Sequence, residues 1–123
     1  MIPKFRAWMK QYKKMDNDIG EMYFEDGEFK YIGDDVNYKR LPEHVILMQS
    51  TGLFDRNGQE IFEGDIVKMA KDVYSEPTYY EVARHRGGAY RLDSKQHGCE
   101  LWIRHADCVV VGNIYENKEL LDA

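Results

Sequence analysis

A chain of 123 residues is long enough for one domain with one real core and too short for two large ones. Its 17 Lys and Arg against 22 Asp and Glu leave a net charge of -5. That argues against broad, sequence-independent nucleic-acid binding, which needs a cation excess to displace counterions from phosphates. Aromatic residues make up 13% and lie along the whole length, which excludes a disordered chain. No apolar run approaches the ~18 residues of a membrane span, and Met1-Ile-Pro-Lys-Phe-Arg-Ala-Trp8 lacks the apolar stretch of a secretory signal. Cys99 and Cys108 are too few for a disulfide framework, so the expectation is a cytoplasmic protein with reduced thiols and no membrane partner.

Phe5, Ala7 and Met9 alternate with Arg6, Trp8 and Lys10, the period of a half-buried strand. Gln11–Lys14 reads as a turn. In Glu21–Ile32, Asp26-Gly27 suits a two-residue hairpin turn with positive φ at both positions. That turn predicts Glu25 opposite Glu28, Phe24 opposite Phe29 and Tyr23 opposite Lys30, with Phe24 and Phe29 as a cross-strand aromatic pair. Gly33–Pro42 is polar and reads as a surface loop, and Val45–Met48 as a short buried run.

Beyond the middle of the chain, Asp65–Ala70 predicts a strand entered from Gly64. A loop follows through Ser75–Pro77, because Pro77 cannot donate to a central ladder. Tyr79–Arg84 and Ala89–Leu92 flank a Gly87-Gly88 turn. Leu101–Arg104 and Cys108–Tyr115 read as further strands, the second apolar enough to be central. Glu116–Ala123 suits one terminal helical turn or a frayed end. No window carries a helical stripe over ~12 residues. The prediction is a mainly β chain of short antiparallel strands forming a barrel-like or sandwich core, with little helix.

The densest signal is Leu47–Lys68. Asn57-Gly58 sits between Leu53-Phe54 and Ile61-Phe62, Thr51-Gly52 supplies a bend before it, and Glu63-Gly64-Asp65 a third change of direction. Four apolar side chains folding inward on three bends make a compact clasp. Its acids have turn duties: Asp55 can bond its own backbone, Asn57 tolerates the left-handed region, and Glu63 and Asp65 stay solvated. A calcium loop counted from Asp55 fails, because its sixth position holds Glu60 where glycine is required.

Leu47–Lys68, together with Lys4-Phe-Arg-Ala-Trp8 and Val111-Gly-Asn-Ile-Tyr115, closely resembles the signature of the YopX family, small proteins of bacteriophages and prophages. The resemblance spreads over the whole chain. It implies a mostly β fold and a phage or prophage setting; it implies no activity, cofactor or catalytic residue. Gly64-Asp-Ile-Val67 also looks like the first-strand entry of SH3-like barrels, which implies an SH3-like C-terminal part.

Two constellations outside the clasp carry conceivable chemistry. His97, Cys99, His105 and Cys108 supply two nitrogens and two thiols for a tetrahedral zinc. Their spacing matches no familiar finger, and free cysteine is among the most buried residue types, which favours reading both thiols as small hydrophobes. Arg84, Arg86, Arg91 and Lys95, beside Tyr80 and Tyr90, collect positive charge and rings, the means by which single strands are held. Such a face equally suits the acidic surface of a partner subunit. No nucleophile elbow, phosphate loop or zinc-protease motif occurs, so no enzyme is predicted.

The sequence thus reads as one domain over 1–123: an N-terminal β part over about 1–40, a clasp over 47–68 whose joints are Gly52, Asp55, Asn57, Gly58, Gly64 and Asp65, and a C-terminal β part over about 65–115. Its expected role is non-catalytic: a phage accessory protein acting through homo-oligomerisation or protein binding, with no cofactor. Nucleic-acid binding around residues 79–95 is the alternative, and zinc binding a remote one.

Overall fold

A computed structural model describes residues 4–17, 19, 21–33, 39–40, 42–70, 74–85, 88–95 and 98–122. The chain is mainly β with little helix, and its strand pairs are antiparallel. It divides into two compact units, Met1–Gln49 and Ser50–Ala123.

In the first unit, β1 (Phe5–Met9) lies between β2 (Lys14–Asp16) and the start of β6 (Val45–Phe54), with Trp8 opposite both Met15 and Ile46. Ala7 and Val45 form a small core with Met9, Ile19 and Leu47. The alternating pattern predicts one wet face, yet Arg6 and Trp8 are buried as well as Ala7. Arg6 stands opposite Met48, which is also buried, so both faces of β1 are covered. The Val45–Met48 run proves to be the first part of a ten-residue strand.

β3 (Glu21–Glu25), β4 (Glu28–Gly33) and β5 (Lys39–Arg40) form a separate three-stranded sheet. Asp26 and Gly27 have φ of 54° and 82°, as the two-residue turn demands. Glu25 faces Glu28 and Phe24 faces Phe29, but a bulge between Tyr23 and Phe24 sets Tyr23 opposite Tyr31 instead of Lys30. Phe24 is half exposed; the side chain of Phe29 lies outside what is described. Within the predicted Gly33–Pro42 loop, Lys39 and Arg40 pair with Gly33 and Ile32, and residues 34–38 and 41 lie outside the described residues.

The second unit contains the end of β6 paired with β7 (Glu60–Phe62), and a five-stranded sheet. That sheet runs β11 (Gly98–Glu100), β10 (Tyr90–Asp93), β9 (Thr78–Arg84), β8 (Asp65–Met69), β12 (Val109–Asn113). Alternate residues of the central strands build its core. Val67 and Met69 from β8, Tyr80 and Val82 from β9 and Leu92 from β10 pack with Ile61, Leu101 and Cys108. The register puts Val67 opposite Tyr80 and Val82 opposite Leu92, so one face of the sheet is continuous oil.

One strand prediction fails here, and another strand forms but not in the predicted place. Leu101–Arg104 is a helical turn, α1, followed by a 3₁₀ turn at His105–Asp107. β11 and β12 occupy opposite edges of the sheet, and the segment linking one edge to the other coils into a helical turn pinned by buried Leu101, which packs in the core. β12, apolar enough to be central, is an edge strand. A bulge between Val110 and Gly112 interrupts its pairing with β8. Past β12, Asn113 Oδ1 accepts the N–H groups of Tyr115 and Glu116, and a 3₁₀ turn over Lys118–Asp122 supplies the predicted helical ending.

Candidate functional site

The clasp turn forms one wall of a cleft. Asp55 is buried, and its carboxylate accepts three backbone N–H groups: Asn57 and Gln59 on Oδ1, each at 2.8 Å, and Val110 on Oδ2 at 2.9 Å. The first two are the predicted local turn bonds; the third reaches the edge strand β12. The Arg56 N–H donates to the Cys108 carbonyl at 2.8 Å, adding a second tie. Gly58, at φ 82°, and Asn57 close the turn, with the Gly58 N–H on the Asp55 carbonyl.

Three details of the clasp differ from the sequence reading. Gly52, at φ 77°, makes a bulge inside β6 rather than a reversal, held by Ser50 Oγ accepting its N–H and by Thr51 Oγ1 donating to the Ile61 carbonyl. Of the four apolar side chains, Ile61 and Phe62 are buried and Leu53 packs on the core, but Phe54 is 51% exposed. Asp65 is not solvated: it is 2% exposed, with Oδ2 accepting the Phe62 N–H at 2.8 Å. The carboxylate does the work of a turn side chain from inside the fold, because Gly64 (φ 88°) turns the backbone inward there.

The cysteine and histidine set disperses into structural contacts. Cys108 is fully buried, its Sγ–H donating to the Arg104 carbonyl at 3.3 Å, and Cys99 packs against the same core. His105 Nδ1 lies 2.8 Å from the Phe54 carbonyl, and His97 falls outside the described residues. Among the described residues, no group of three or more His, Cys, Asp or Glu is placed to share a metal ion. Burial, with the neighbouring Cys99 adding to it, pushes the Cys108 thiol up to about 12 from 9.0. At pH 8 that leaves roughly one thiolate in ten thousand. Iodoacetamide at pH 8 is therefore expected to leave Cys108 unmodified in the folded protein and to alkylate it fully in urea, read by mass spectrometry. The sign also fixes a pH trend: a raised thiol value stabilises the fold below pH 9, and that contribution is lost as the pH climbs toward 12.

The supposed basic and aromatic face does not assemble as one surface. Tyr80 belongs to the core at 2% exposed, and Tyr90 packs against it. Arg91 sits opposite Ala83, on the other face of the sheet from Tyr80, Val82 and Arg84. Its guanidinium reaches Glu100 at 3.1 Å and Asp93 at 3.9 Å, while His85 meets Asp93 at 2.6 Å and Lys95 meets Asp122 at 3.3 Å. Glu81 stands opposite Asp93; burial first, and then that neighbouring carboxylate, hold its acid above the usual range against the pull of Lys118. Carboxylates thus face Arg91, His85 and Lys95. Arg86 lies outside the described residues.

A cleft that sequence reasoning missed lies elsewhere in this unit. It encloses about 710 Å³ and is lined by Arg56, Lys68 and Arg104, with Asp107, over an apolar surface that includes Met69 and Pro77. Arg56 comes from the clasp turn, Lys68 from the outward position of β8 and Arg104 from the end of α1. Arg104 is fixed by two bonds, Nη2 to the Ala70 carbonyl at 3.0 Å and Nε to Asp107 at 3.0 Å. Lys68 Nζ lies 5.9 Å from the Tyr79 ring centroid, within cation–π reach. Forty-eight positions separate the first cation from the last (104 - 56), so no local motif signals the group.

A clasp of positive-φ glycines and a backbone-bound aspartate, joined to an antiparallel sheet and flanked by a cationic cleft, defines a small β protein. The family model described as YopX protein matches residues 4–122, and the chain belongs to the YopX family. It is similar to the crystal structure of protein EF1440 from Enterococcus faecalis, at 31% identity over 98% of this chain and 99% of that one, with a TM-score of 0.61. The fold is also that of the crystal structure of yopX from Bacillus subtilis, at 24% identity over 97% and 95% of the two chains and a TM-score of 0.71. Among curated proteins none matches. Among the described residues, no helix is long and apolar enough to cross a membrane.

Proposed function

We propose that this is a non-catalytic binding protein that acts by protein association, in the first place with a second copy of itself. The observation that carries this reading is the pair Trp102 and Ile103, which are 67% and 58% exposed on successive positions of α1. Leu101, fully buried before them, and Arg104, bonded to Ala70 and Asp107 after them, hold the turn in place. Two large apolar side chains on a fixed support are what an interface centre requires, and tryptophan is enriched there. The phage or prophage setting and the host cytoplasm belong to the same proposal, supported by the family resemblance.

Light scattering coupled to size exclusion tests it. The parent chain is expected to run above the 14.5 kDa of one copy, and Trp102→Ser with Ile103→Ser to run as a monomer with an unchanged melting temperature. A parent that stays monomeric at every concentration overturns self-association.

A further inference from the structure

We infer that the cleft between the clasp turn, β8 and α1 binds a phosphate-bearing ligand of nucleotide size. Size is the first argument: about 710 Å³ falls inside the ~300–1,000 Å³ typical of small-molecule sites. Charge is the second. The lining holds three cations and one carboxylate in a chain whose net charge is -5, so positive charge is concentrated here against the protein's general field.

The bonding of those groups narrows the ligand. Asp107 is engaged by Arg104 Nε, and among the described residues neither Arg56 nor Lys68 has a carboxylate partner. Arg104 is immobilised through Ala70 and Asp107, whereas Arg56 and Lys68 are exposed and long enough to close on an incoming group. One fixed guanidinium with two exposed cations suits a compact dianion better than single, spaced carboxylates, and guanidinium geometry favours phosphate oxygens. The remaining wall is apolar, with Met69, Pro77 and Val109 offering cover for a base or sugar rather than for more charge. This inference uses side chains other than Trp102 and Ile103, so it stands or falls apart from self-association.

A terminal phosphate reaches such a cleft either on a free nucleotide or at the end of a short strand. Calorimetric titration of the full chain at low ionic strength separates these sources. The probes are AMP, adenosine, polyglutamate, and a tetranucleotide with and without a 5′ phosphate. AMP is expected to bind at least tenfold more tightly than adenosine, and more weakly as salt is added. Arg56→Ser with Lys68→Ser is expected to cost at least tenfold with no change in melting temperature, and Lys68→Glu alone to act in the same direction. A 5′-phosphorylated tetranucleotide that outcompetes AMP identifies the strand as the source, and equal binding identifies the phosphate with its nucleoside. No heat from any phosphate probe at millimolar concentration, equal affinity for adenosine and AMP, an unaffected double variant, or binding of polyglutamate alone would each overturn the inference.

Discussion

Asp55→Ala is expected to lower the unfolding free energy by about 3 kcal/mol. The carboxylate accepts N–H groups from Asn57, Gln59 and Val110, and it is 6% exposed. Removing it strands three donors at once, each with a desolvation cost of about 1–3 kcal/mol when water cannot replace the acceptor. Asn57 and Gln59 lie in an exposed turn and recover water, so most of the loss falls on Val110. Asp55→Asn retains one acceptor oxygen but turns an amide N–H₂ toward the other donors, and should forfeit a similar share of stability. Urea unfolding at pH 7 reads both, as a fall in midpoint with unchanged slope. A loss under about 1 kcal/mol for the alanine variant would show that the turn does not depend on this carboxylate.

Gly64→Val is expected to be nearly as damaging, at about 2 kcal/mol or more. Gly64 is buried with φ at 88°, its N–H donates to the Val82 carbonyl at 2.8 Å, and its own carbonyl accepts the Ile114 N–H at 2.9 Å. A β-branched residue there must strain in the left-handed region or withdraw from both partners. Gly58→Val makes the control: φ is 82°, but nothing lies within 4 Å of an added Cβ. It should therefore cost only the backbone term, about 1 kcal/mol. Equal losses at the two glycines, measured by thermal and urea unfolding, would show that the bonds through Gly64 add nothing to its conformational demand.

The comparison between chain and fold divides along lines of sequence distance. Local chemistry was legible: Asp26-Gly27 gave its hairpin, Asn57-Gly58 its turn, and Asp55 its bond to a neighbouring N–H. Turn signals located β8 and β9: Gly64 marks the entry to the first, and Pro77 and the Gly87-Gly88 pair bracket the second. What failed depends on strand order. Whether Leu101–Arg104 extends or coils is decided by the need to travel from one sheet edge to the other, which no window of four residues contains. Asp65 reads as solvated because acids usually are, and only the inward turn at Gly64 buries it. The cleft was illegible for a related reason. Arg56, Lys68 and Arg104 are unremarkable singly and acquire meaning when the clasp turn, β8 and α1 are brought to one wall.

The bond from Asp55 to Val110 spans fifty-five positions and has a consequence for the order in which this protein can be made. On a ribosome the clasp emerges long before its partners. Arg56 awaits the carbonyl of Cys108, Gly64 awaits the N–H of Ile114, and Asp55 awaits Val110. A nascent chain ending short of residue 108 therefore holds none of these three long-range bonds, and the second unit closes only after nearly all of it has been translated. Such distant closure also slows folding, because loop entropy is surrendered before the contacts that compensate for it exist. Until then the core around Ile61 lacks Cys108 and Val110, and the half-made chain is more adhesive than the finished one.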